Sequence, residues 1–347
     1  MRARSVRTGV ATAAAAVLLA ACGGSSSGGS GPAANTANAH DATPAAELAS
    51  AIKALGSAHT LKLNLSLGTS GADLLQIASG LGGDGPTKAQ ADAIGGDHIG
   101  LQFQAPDGKS LRDGAHGGAF ALTLGDDSQD HFTLEEVAGS LYGQIDLKYF
   151  LDLVNGAPSL HSLQRKLGSA PPFAKDALAG KWISLPAATL KSLAGLAGGQ
   201  TTPASPSASK LSALQSKALS TLLADVTVTR AASGATDDLK VSFKLRELIS
   251  DEYAAVAPVV RSLVPGGDQA LPPLKPGNIP NVTVNFDAFV TNGALSKVVL
   301  DAGQFDTNEH ISVPIDLDVT QEGPAITAPS DATPIDFSSL GQLFAGA

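Results

Sequence analysis

The sequence predicts an α+β fold built on an antiparallel sheet, and three observations carry that prediction. Apolar and polar residues alternate strictly over Leu61-Lys62-Leu63-Asn64-Leu65-Ser66-Leu67, and again over Asn281–Val290, where Val282, Val284, Phe286, Ala288 and Val290 share one side. Period-two alternation puts one face of a strand in the core and the other in water, the habit of antiparallel sheets. Asn292-Gly293 supplies a tight turn between two such runs. Stripes of helical period, such as Leu48, Ile52 and Leu55, stand among the strands.

The elements follow in order. Thr43 caps a helix with Pro44 at its first position. The leucine strand Leu61–Leu67 comes next, then a Gly-rich segment, 71–96, with short helices at Ala72–Ser79 and Lys88–Ile94 that reads as an insertion or a lid. Strands are predicted at His98–Gln104, at Ala119–Leu124 with Phe120, Leu122 and Leu124 on one face, and at Phe132–Asp146 with a bend at Gly139. Leu147, Phe150, Leu151 and Val154 form one helical stripe, and Leu160, Leu163 and Leu167 another. A short strand at Lys181–Leu185 and a helix at Ala187–Leu196 precede a Pro/Ser loop, 198–209. A helix near Leu211–Leu223, strands at Asp225–Ala231 and Leu239–Arg246, and a helix at Asp251–Leu263 interrupted by Pro258 follow. The last strands are Asn281–Val290, Leu295–Gln304 and His310–Thr320. Pro314 cannot donate to a ladder, so the final strand is expected at an edge or with a bulge.

The N-terminus carries Arg2, Arg4 and Arg7, then the apolar run Val10–Ala20, too short to span a bilayer, the layout of a signal peptide over residues 1–21. Leu19-Ala20-Ala21-Cys22 matches the bacterial lipobox, in which small residues admit the peptidase and the thiol accepts a diacylglyceryl group. Cys22 is the one cysteine of the sequence, so its acylation leaves no thiol for a disulfide, a metal or catalysis. Residues 22–42 then read as the lipidated cysteine and a flexible tether, and 43–347 as one domain. The expected location is the outer face of a cell membrane.

Composition and motifs exclude more than they assign. A formal charge of −9 repels phosphate backbones, so no nucleic-acid partner is expected. One Trp and three Tyr do not furnish the aromatic platforms of a glycan site. Gly24-Ser25-Ser26-Ser27-Gly28 has the form of a nucleophile elbow but lies in the tether, and Ser207-Ala208-Ser209-Lys210 lies in a Pro/Ser loop. The seven histidines include no pair at the helical spacing of a zinc site. Asp126, Asp127, Asp130, Glu135 and Glu136 lack the regular ligand spacing of a calcium loop and read as a solvated hairpin tip. No catalytic residue, metal or cofactor is expected.

Val137-Ala138-Gly139-Ser140-Leu141-Tyr142 with Ile145-Asp146, then Gly180-Lys181-Trp182-Ile183, and the ending Gly323-Pro324-Ala325-Ile326-Thr327-Ala328-Pro329 resemble the LppX/LprG-type actinobacterial lipoproteins over roughly residues 43–335. The segments 71–96 and 198–209 have no counterpart there. The resemblance implies a LolA-like fold: a curved antiparallel sheet, a half-barrel, with helices on its concave side and lipid acyl chains in the hollow. Joined to the alternation, it nominates Leu61, Leu63, Leu65, Leu67, Phe120, Leu122, Val282, Val284 and Phe286 as lipid-binding residues. Without it, the same faces read as a dry core under helices. Two functions follow: an anchored carrier of a lipid or other lipophile at the cell envelope, or an envelope lipoprotein whose sheet binds a protein partner that the sequence does not name.

Replacing Cys22 by Ser should abolish both palmitate labelling and membrane retention. A variant that still fractionates with membranes and takes up label would refute the lipobox assignment.

Overall fold

The computed structural model describes residues 42–80, 85–113, 117–154, 159–166, 171–196, 224–263, 276–305 and 312–335. Cys22, the tether, the loop 198–209 and the helix expected at 211–223 lie outside them. Helix α1, Pro44–Leu55, starts where Thr43 Oγ1 accepts from the Ala46 N–H at 3.3 Å. Strand β1 is Thr60–Leu67. The Gly-rich segment is a helical hairpin, α2 (Gly71–Gly80) and α3 (Lys88–Gly96), with Thr87 and Gln90 forming a capping box. Its glycines are where the helices touch. A Cβ on Gly71 would lie 2.5 Å from Asp92, and one on Gly95 would lie 2.7 Å from the Gly71 nitrogen.

Strands β2 (His98–Gln104), β3 (Ala119–Gly125), β4 (Asp130–Val137) and β5 (Ser140–Ile145) form a meander. The single bent strand expected over 132–146 is thus two strands. Ala138 and Gly139 both take positive φ, 52° and 78°, the backbone of a two-residue hairpin turn. Helices α4 (Leu147–Leu153), α5 (Leu160–Lys166) and α6 (Pro172–Leu178) lead to β6 (Ile183–Leu185) and α7 (Ala187–Leu196). Strands β7 (Thr227–Ala232) and β8 (Thr236–Lys244) precede helix α8, Leu245–Leu263, which runs on through Pro258 where an interruption was expected. Strands β9 (Thr283–Thr291), β10 (Ala294–Asp301), β11 (Pro314–Thr320) and β12 (Thr333–Pro334) complete the order.

The described strands form one twelve-stranded sheet, β12-β6-β5-β4-β3-β2-β1-β11-β10-β9-β8-β7, antiparallel except where β12 joins β6. It is curved and unclosed, and with its helices gives the α+β class. Strand β11 lies between β1 and β10, so Pro314 does not mark an edge. Pro314 is the first residue of its strand, where a missing N–H costs no ladder bond, and its carbonyl still accepts from the Gly68 N–H at 2.8 Å.

The apolar side of the sheet carries the core. Leu48, Ala51, Ile52 and Leu55 of α1 pack with Leu61, Leu63, Leu239, Val241, Ala288, Val290, Leu295 and Val319. The start of α1 is pinned electrostatically: the Arg230 guanidinium donates to Glu47 and, at 3.4 Å, to the Ala42 carbonyl. Burial pushes the Glu47 carboxyl above its ordinary range and the neighbouring Asp237 adds to that, while Arg230 opposes it. The opposite face is polar. The chain after β11 crosses it, with Gln102 Nε2 donating to the Pro324 carbonyl and the Ile326 N–H to Gln104 Oε1, both at 2.6 Å.

Asp301 fixes the entry to β11. Its carboxylate accepts from the Val313 N–H at 2.7 Å, the Gly303 N–H at 2.8 Å and Ser312 Oγ at 2.8 Å. Burial would raise its pKa, but these donors outweigh burial and hold it below the aspartate range. A depressed carboxylate adds stability that is complete above the unfolded pKa and is lost as pH falls through the folded one. Asp301→Ala should therefore cost about 1–3 kcal/mol at neutral pH, measured by urea unfolding, and the gap to the parent should close as the pH drops below the ordinary aspartate pKa.

Candidate functional site

The sheet register assembles three rows of side chains across the apolar face. Leu61, Phe103, Phe120, Glu136, Leu141 and Leu185 are partners in the first. Leu63, Leu101, Leu122 and Leu134 lead the second, and Leu65, Ile99, Leu124, Phe132 and Ile145 make the third. Across β11 the rows continue into Val319 and Leu317. Nearly all of this surface is hydrocarbon, because every strand of the meander keeps its apolar residues in phase.

Burial divides the nominated residues. Leu61 is 1% exposed and Leu63 3%, and with Val284 they are buried, the two leucines in the core under α1. Phe286 is partly buried against that core, its ring edge-on to Phe243 at 6.3 Å. Val282 precedes β9, is half-buried, and its carbonyl accepts from the Leu245 N–H. Leu65, Leu67, Phe120 and Leu122 are half-buried, as are Leu124, Phe132, Leu134 and Ile145 beside them. Ile99, in the middle of the third row, is 43% exposed. The packed core and the open floor therefore share one sheet face. Leu63 is on the closed side of the divide and Leu65 on the open side.

Two side-chain bonds frame the open end. Gln90 Nε2 on α3 donates to the Leu153 carbonyl at 2.7 Å, and the Tyr149 hydroxyl on α4 donates to Asp97 just before β2. Ile94 and Val154 stand exposed beside these bonds. Tyr149 stacks on the buried His131 ring at 3.5 Å, and Asp126 and Asp146 lie 3.4 and 3.7 Å from the His131 nitrogens. Burial and then Asp97 push the Tyr149 hydroxyl far above its ordinary pKa, so it stays a donor. Asp126 is held low, first by the Ser128 hydroxyl and then by the Ser128 and Gln129 N–H groups, the bonding of a hairpin tip. Among the described residues no three His, Cys, Asp or Glu side chains are placed to hold a metal.

A cleft of about 440 Å³ opens beside α4, α5 and α6, lined by Gln129, Asp130, Gln144, Asp146 and Lys148 among others. Its polar groups are largely committed within the fold. Gln144 Nε2 donates to the Gly180 carbonyl at 2.8 Å and Asp146 caps α4. None of the nominated residues lines it.

Sequence reading missed Glu136. It grouped Glu135 and Glu136 as one acidic tip, whereas the register puts them on opposite faces. Glu135 pairs with Ala121 and Tyr142 on the polar side, where burial raises its carboxyl, and Glu136 pairs with Phe120 and Leu141 on the apolar side. Period-two counting from Phe132 and Leu134 reaches Glu136 and would have found it.

The two leucines make a direct comparison. Leu63→Ala should destabilise by about 2–5 kcal/mol, the cost of a cavity in packed surroundings, whereas Leu65→Ala should cost less than half as much. Equal losses in chemical denaturation would mean that Leu65 is as tightly packed as Leu63.

No family model matches the sequence, and no curated protein does. Among solved structures, the lipoprotein LppX of Mycobacterium tuberculosis aligns over 82% of this chain and 96% of its own, at 8% identity and a TM-score of 0.32. So low a score leaves the fold to be described from its own sheet register.

Proposed function

We propose that this chain is a lipid-anchored, extracytoplasmic protein that binds a lipid or another lipophilic molecule on the half-buried part of its apolar sheet face. The observation that carries the reading is the row Leu65, Ile99, Leu124, Phe132 and Ile145: large apolar side chains in register across five strands, none of them sealed as Leu61 and Leu63 are. A binding site for an acyl chain needs a concave, mostly apolar wall and few polar groups, and this floor has that composition. The lipobox at Leu19–Cys22 and the LppX/LprG-like segments at 137–146, 180–183 and 323–329 support the same reading. The proposed role is carriage without catalysis.

Native mass spectrometry of the purified protein, followed by organic extraction, should find copurified lipid. Leu65→Trp should displace that lipid while melting close to the parent, because Leu65 is half-buried and not sealed in the core as Leu63 is. In a packed site the same change would overpack and cost roughly 1–3 kcal/mol. A parent that carries no lipid, with a Leu65→Trp variant that is strongly destabilised, would defeat the proposal in favour of a sheet that binds a protein partner.

A further inference from the structure

Resting on that lipid-binding reading, we infer that Glu136 selects the ligand's head: it accepts a hydrogen bond from a lipid whose polar end bears a hydroxyl or amine and no negative charge. Glu136 is the one charged side chain in the three rows, flanked in register by Phe120 and Leu141. It is half-buried, and no described residue bonds to it or pairs with it. A carboxylate set among hydrocarbon side chains is the point on that face where a donor or a cation is favoured and a second anion is not. Its neighbour Glu135 lies on the other face, where its Oε2 is buried and burial raises its carboxyl, so of the two glutamates it is Glu136 that can meet a ligand on the apolar side.

The geometry also gives the ligand a direction. Glu136 lies four positions along β4 from Phe132, which lies in the row of the exposed Ile99. At strand rise that is about 13 Å, a stretch of apolar floor running from a polar anchor at the hairpin end to the open end beside α3 and α4. An acyl chain laid along it would put its head at Glu136. An anionic head there would meet a like charge, which is the repulsive element that discrimination needs.

The test offers the full-length anchored protein in detergent an equal mixture of dioleoylglycerol and dioleoylphosphatidic acid, which share their acyl chains and differ in head charge. Bound lipid is read by native mass spectrometry. The parent should retain the diacylglycerol over the phosphatidic acid by roughly tenfold or more. Glu136→Gln, which keeps the side-chain shape, should collapse that ratio, and Glu136→Lys should invert it, with thermal melts confirming that both variants fold. A parent that takes the two lipids equally, or prefers the phosphatidic acid, overturns the assignment of Glu136 but leaves lipid binding standing. So does a ratio unchanged in Glu136→Gln. A parent that binds neither lipid overturns the lipid-binding reading, and the selector with it.

Discussion

One apolar face shared by a twelve-stranded sheet must be covered, and the covering helix is too short to do it. At about 4.8 Å per strand the sheet is about 55 Å wide, while the twelve residues of α1 reach about 18 Å. Helix α1 packs on β7, β9 and β10 and reaches Leu61 and Leu63 of β1. The β2–β5 side of the face is left to other elements, and there the large apolar residues stay half-buried. At about 25 cal/mol per Å² of apolar surface removed from water, incomplete cover leaves free energy unrealised that a lipophilic ligand could supply. Helix α1 thus accounts for the core side of the face and cannot by itself cover the rest.

The sheet is two meanders joined at a single pairing. Strands β1 to β6 run consecutively to one side, β7 to β11 to the other, and β1 meets β11 in the middle with Leu63 opposite Val319 and Leu65 opposite Leu317. That contact closes a loop of about 250 residues, a long-range pairing of the kind that slows folding. Two devices secure it. Asp301 gathers the backbone between β10 and β11, and the chain beyond β11 is tied across the polar face by Gln102 and Gln104 before Thr333 reaches β6. The floor spans the same seam, since its rows continue from β1 into β11, so its geometry depends on those ties.

Much of this architecture was legible from local pattern. The strands Leu61–Leu67 and His98–Gln104 and the capped helix after Thr43 were readable because alternation, caps and helical period act within a few residues. The misreadings share another cause. Ala138 at positive φ carries no turn signal, so the β4–β5 hairpin looked like one bent strand. No element was expected between Leu167 and Lys181, and α6, whose Pro172 suits a first helical position, was missed. Pro258 sits inside α8, which spans nineteen residues, enough for the remaining ladder to continue past one lost bond. Pro314 suggested an edge because its sequence position does not reveal that it opens the strand. Nor could alternation distinguish Leu63 from Leu65: both point to the same face, and only their burial separates them.

The same limit explains Glu136 and gives it meaning. Adjacent residues of a strand face opposite ways, so two neighbouring glutamates cannot share one environment when one face is apolar. Read as a charge run, Glu135-Glu136 is unremarkable hairpin chemistry. In register, one of the pair stands in a row with Phe103, Phe120 and Leu141. Removing the carboxylate would make the floor uniformly apolar and easier to bury, so a protein that needed only a stable sheet would gain from an aliphatic residue there. A floor meant to hold an amphiphile has a use for one acceptor at one end, because it fixes which way the molecule lies. On the proposed reading the half-buried leucines would supply affinity without direction. Glu136 would add the direction, and with it a charge rule for the head group that a wholly apolar hollow could not enforce.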